Sequence, residues 1–104
     1  MSQTANPLRG ETAIEVAEVK RILRPSFENL VAAEEELGSL FALVERASNG
    51  ALTITEITVL LWHCLPQQGR PSRDELGATV LQLGLIEATK PVRAVLSQVL
   101  QGRV

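Results

Sequence analysis

The 104-residue chain has no tyrosine, one tryptophan, two phenylalanines, one histidine and one cysteine. With aromatics at 3% and hydrophobic residues at 45%, its core must be built from Leu, Ile, Val and Ala, which favours packed helices. A single cysteine excludes an internal disulfide and fits a reducing, cytoplasmic setting. Ten Lys and Arg stand against twelve Asp and Glu, a formal charge of −2, and no basic stretch could neutralise several phosphates in a row. Nucleic-acid binding is therefore disfavoured. No uninterrupted apolar run approaches the roughly 20 residues that a membrane helix needs, and the opening MSQTANPLR lacks the apolar core of a signal peptide. Neither export nor membrane insertion is expected.

Catalytic equipment is equally sparse. His63 and Cys64 are neighbours, and adjacent helical positions point about 100° apart, so imidazole and thiol should not meet. Cys64 reads as a small buried hydrophobe and His63 as an exposed or rim residue; together they provide too few ligands for a zinc site. The stretch Ser48 to Glu56 resembles a calcium loop between helices, but it offers a single carboxylate, Glu56, where several are needed. Glu34, Glu35 and Glu36 diverge around a helix and read as a solvated face. Glycine-rich phosphate loops and Gly-x-Ser-x-Gly elbows are missing. The expectation is a protein that is not an enzyme, with no cofactor, metal or small-molecule substrate.

What the sequence does contain is ordered punctuation. Residues 1–9 are small, polar and proline-containing and read as a flexible leader, followed by one domain over residues 10–104. From Glu11 to Val16 and from Val19 to Arg24 the β-branched content rises. Pairing across Ala17 and Glu18 would place Ile14, Val16, Val19 and Leu23 on one face, with Glu15, Lys20 and Arg24 on the other. The turn lacks the Gly or Asn favoured by a two-residue hairpin, which allows a longer or bulged loop and leaves the register open. Pro25 blocks continuation of the ladder.

Everything later has helical spacing. Ser26 caps a helix whose Phe27, Leu30, Val31 and Leu37 form a stripe, with Glu28, Glu34 and Glu35 turned mostly to water, and Gly38 ends it. Ser39 caps a second helix through Leu40, Leu43, Val44 and Ala47, which stops at Asn49 and Gly50. Thr53 with Glu56 matches a capping box and opens a third helix from Ile54 to Leu65, ended by Pro66. Ser72 with Glu75 repeats that spacing for a fourth helix toward Leu83, closed by Gly84. Thr89 is placed to cap a last helix, with Pro91 in its first turn and Val92, Val95, Leu96, Val99 and Leu100 on one face. The fold class is α+β: a two-stranded antiparallel hairpin followed by a compact bundle of four to five short helices.

Residues 10–38, GETAIEVAEVKRILRPSFENLVAAEEELG, have a Gly-Glu opening, a basic second strand and an Ala/Glu-rich helix in that order. This stretch closely resembles the N-terminal signature of the small tail assembly proteins of gene transfer agents, tailed phages and prophages. The Gly50-Ala51-Leu52-Thr53 start of the third helix resembles the family moderately and the last helix weakly, while the glycine-free hairpin tip and Pro25 depart from it. The resemblance implies a cytoplasmic tail assembly chaperone that keeps the tape measure protein soluble until tube subunits polymerise around it. Residues 10–104 would then be one tail-assembly-chaperone-like domain, whose source could be a gene transfer agent or a prophage.

The third helix is apolar beyond one face. Ile54, Ile57, Leu60, Leu61, Cys64 and Leu65 cover a broad side, Val59 and Trp62 extend it, and Thr55, Glu56 and His63 are left facing water. Such a helix is either central, covered on several sides, or presents Trp62 and Val59 to another chain. The last helix poses the same choice at Val95 and Val99. Val59, Trp62, Val95 and Val99 are accordingly the partner-binding candidates. The expected partner is the tape measure protein or another tail protein, with a homo-oligomer also open. The rival expectation is a structural component of the tail, of tube or tail-completion type, retained in the particle. A helical DNA-binding regulator is a third possibility, against which the acidic charge counts.

Overall fold

The computed structural model of the chain describes residues 12–102, so the leader expected over residues 1–9, together with Gly10 and Glu11, lies outside the described residues. Two strands, β1 (Thr12–Val16) and β2 (Val19–Leu23), precede five helices: α1 (Phe27–Leu37), α2 (Leu40–Ser48), α3 (Ile54–Cys64), α4 (Arg73–Leu83) and α5 (Leu85–Gln101). This is the α+β arrangement expected from the sequence.

The strands pair antiparallel with Val16 opposite Val19 and Ile14 opposite Arg21. That register settles the loop: it is a two-residue turn, neither long nor bulged. Ala17 and Glu18 both adopt left-handed φ values, 51° and 65°. Two-residue hairpins take this form because its twist matches that of the strands, and here it is imposed on residues with side chains, at roughly 1 kcal/mol each. Ile14, Val16 and Leu23 on one face are buried, whereas Val19 beside the turn is half exposed. Ile22, on the opposite face beside Ala13, is buried as well.

The helix starts are built locally. Ser26 Oγ accepts from Asn29 N–H at 3.2 Å, and Ser39 Oγ from Ala42 N–H at 3.4 Å. Thr53 and Glu56 form a reciprocal capping box at 3.1 and 3.0 Å, as do Ser72 and Glu75. Each box satisfies two backbone donors that the first helical turn would otherwise leave unpaired.

α3 is the central helix. It packs on α1, α4 and α5, and buries Ile57, Thr58, Val59, Leu60, Leu61 and Cys64. Around it Leu43, Leu65, Leu76, Val80, Ala88, Val92 and Val95 complete an aliphatic core, with β1 packed on α4 and α5. The Arg24 N–H donates to the Cys64 carbonyl at 2.8 Å, joining the exit of the hairpin to the end of α3.

Several apolar residues expected in the core stripes are on the surface instead. Phe27 and Val31 of α1, Ile54 of α3 and Leu100 of α5 are exposed, because the stripes are wider than the faces their neighbours cover. On α1 the buried direction is set by Ala33 with Leu30 and Leu37 beside it, and Phe27 and Val31 sit on its flank. Of the three residues of α3 expected to face water, Thr55 is exposed, whereas Glu56 and His63 are half-buried.

α5 starts at Leu85, four residues before the expected Thr89 cap. Thr89 Oγ1 instead donates to the Ile86 carbonyl at 2.6 Å inside the helix. Pro91 is therefore internal, where it removes the N–H that would reach the Glu87 carbonyl. Burial of Ala88 and Val92 on either side keeps the helix continuous. Gly84 makes the α4–α5 corner possible: at φ 84° its N–H donates to Val80 O and its carbonyl accepts from Ala88 N–H, both at 3.0 Å.

Candidate partner-binding site

The four residues singled out from the sequence do not form one surface. Val95 is fully buried and Val59 is 5% exposed, while Val99 packs half-buried against the core. In this conformation Val59 and Val95 have no free face to give a partner; the helices' own neighbours use it.

Trp62 is half-buried, and its surroundings are polar. The Arg70 guanidinium lies 4.1 Å from a ring centroid and that of Arg73 lies 4.4 Å away, both in cation–π range. The indole N–H donates to the Pro71 carbonyl at 3.0 Å. His63 meets the indole edge-on at 5.1 Å, and its Nε2 hydrogen-bonds Glu36 Oε1 at 2.8 Å. Glu36 also accepts from both terminal nitrogens of Arg73, one at 2.7 Å. Arg73, then His63, hold the Glu36 carboxyl at about 2, well below its ordinary 4.5. Thus Trp62 is the centre of an electrostatic clamp joining α1, α3 and the start of α4. The acidic run read as solvated contributes one residue, Glu36, to that clamp.

Cys64 faces the core beside this cluster, and burial pushes its thiol up to about 12, so it carries no reactive thiolate at neutral pH. Among the described residues no group of three or more His, Cys, Asp or Glu side chains could hold a metal ion. No helix among them is long and apolar enough to cross a membrane.

The surface with room for a partner runs along α5. One hollow of about 310 Å³ is lined by Leu52, Ile57, Leu85, Ile86, Val92, Lys90 and Arg93, among others. A second of about 420 Å³ lies between Val44 and Ser48 of α2 and Leu96 and Leu100 of α5. Ala47 and Arg93 line both, so the two hollows adjoin and together make the α5 groove. Its α5 wall follows Ile86, Thr89, Arg93, Ser97 and Leu100, one helical flank over about 20 Å.

Ile86 is 83% exposed and Leu85 and Leu100 about half exposed, an outlay of apolar surface that the core does not use. Phe41, 72% exposed, lies on the flank of α2 that carries Val44 and Ser48 and extends that wall. These positions escaped sequence reasoning because an amphipathic stripe does not say which edge of itself remains uncovered. The signal that was present is the unbroken apolar spelling Leu83-Gly84-Leu85-Ile86 at a corner, where a loop is usually polar.

Residues 9–102 match a family model described as phage tail tube protein, GTA-gp10. Comparisons with curated proteins and with solved structures returned no match.

Proposed function

The chain belongs to the phage tail tube protein, GTA-gp10, family and so takes part in tail morphogenesis, and we propose that its part there is a chaperone's: binding an amphipathic segment of the tape measure protein in the cytoplasm before the tube closes. The observation that carries this reading is the α5 groove. It combines an apolar floor, exposed Ile86 and Leu100 at its edges, and on its wall the cation Arg93 together with Lys90, which is ion-paired to Glu87. Such a groove takes the apolar face of a partner helix, read at i, i+3/i+4 and i+7 spacing. No bond-making chemistry is assigned: Cys64 is buried, and His63 is engaged with Glu36.

A second reading, a structural component kept in the tail, draws on the family's own description and on the hairpin. Among the described residues each strand pairs on one side, which leaves two outer edges able to extend a sheet between subunits. Quantitative mass spectrometry of purified particles separates the two. The chaperone reading requires the protein to be missing from particles and to co-purify with the tape measure protein when tube assembly is blocked. Many copies per finished particle would establish the structural role instead.

A further inference from the structure

We propose that in the free protein the α5 groove is filled by the outward face of α1 from a second copy of the same chain. The outward face of α1 carries Phe27, 83% exposed, and Val31 one turn later, with Glu28 and Glu35 beside them. Neither glutamate side chain has a hydrogen bond or ion pair among the described residues, and neither does the Arg93 guanidinium on the groove wall. Two uncompensated anions beside two exposed apolar side chains therefore match a hollow with an apolar floor and, at Arg93, an unpaired cation on its wall. The match is of charge as well as hydropathy, and it juxtaposes Phe27 and Val31 with Ile86, and Glu35 with Arg93.

The dimensions agree. α1 has 11 residues, about 16 Å of helix, and the groove wall along α5 is slightly longer. A standard stable interface covers about 800 Å² per partner, and one three-turn helix face covers less, so the self-association is expected to be weak and concentration-dependent. The two surfaces share no residue, so the contact either closes reciprocally in a two-fold dimer or runs head-to-tail into a ring or an open chain.

The inference takes the groove of the tail-assembly reading as its site but needs no tape measure protein. Measured on the protein alone, it can fail while that reading stands, and it can hold while that reading fails.

The test is sedimentation velocity from roughly micromolar to millimolar concentrations, with circular dichroism to show that each variant is folded. Wild type should associate with rising concentration. Phe27→Asp and Ile86→Asp, both at surface positions, should each sediment as monomers. Mixed in equal amounts they should form a one-to-one dimer, because the intact α1 of the Ile86→Asp chain enters the intact groove of the Phe27→Asp chain. Glu35→Lys and Arg93→Glu should each weaken association about tenfold, and mixing or combining them should restore it. A monomeric wild type, an association unaffected by Phe27→Asp, or a mixture of the two Asp variants that stays monomeric overturns the proposal.

Discussion

Arg73, in the first turn of α4, donates to Glu36, in the last turn of α1, at 2.7 Å across 37 positions of sequence. The two helices meet through this pair and through His63, with the Trp62 ring in cation–π contact with both Arg70 and Arg73.

The first consequence is acid sensitivity. The Glu36 carboxyl is held at about 2 in the fold, against 4.5 for an unperturbed carboxyl. The unfolded chain therefore binds a proton before the folded one does. The stabilisation is fully present above about pH 4.5 and is lost as pH falls toward 2. Glu56, lowered by the Thr53 backbone N–H and then by Arg46, acts in the same direction. Glu36→Gln is expected to flatten the acid limb of a plot of denaturation midpoint against pH. An unchanged limb would mean that the clamp does not persist in solution.

The hairpin turn gives the second expectation. Ala17 and Glu18 occupy left-handed backbone that glycine enters without strain. Glu18→Gly should stabilise the fold by about 0.5 to 1 kcal/mol, the relief of strain exceeding the added entropy of the unfolded chain. Chemical denaturation checks it, and a loss of stability would contradict the two-residue turn.

Thr58 is buried in α3 and its hydroxyl has no hydrogen-bond partner among the described residues. Thr58→Val keeps the shape and removes the orphaned group, so it should raise stability by about 1 kcal/mol. A destabilised variant would reveal a partner for that hydroxyl.

The caps of α1 to α4 and the inward face of the hairpin were legible because each is written within a few residues: Ser26, Ser39, the Thr53–Glu56 and Ser72–Glu75 pairs, and the alternation Ile14-Glu15-Val16. The start of α5 was not. Thr89-Lys90-Pro91 spells a helix start, and only the packing of Ala88 on the core shows that the helix is already running. The site was legible least. Trp62 is occupied by Arg70 and Arg73, which come from the next loop and helix, and nothing local announces them. Val95 and Ile86 belong to the same apolar helix, and which one is covered depends on where α3, α4 and β1 pack against it.

Trp62→Ala should accordingly act on stability, not on a binding surface. Loss of the half-buried ring and both cation–π contacts should cost about 2 to 4 kcal/mol by calorimetry. A variant as stable as wild type would return Trp62 to the list of partner contacts.

The claim that the α5 groove holds the tape measure protein is tested most directly by co-expressing that protein with wild type, Ile86→Asp or Thr55→Asp, and measuring the soluble tape measure fraction. Ile86 lines the groove, whereas Thr55 is an exposed position outside it. The chaperone account requires wild type and Thr55→Asp to keep the tape measure protein soluble and co-purifying, and Ile86→Asp, folded by circular dichroism, to lose it. Equal soluble tape measure protein with folded Ile86→Asp and with wild type would contradict it.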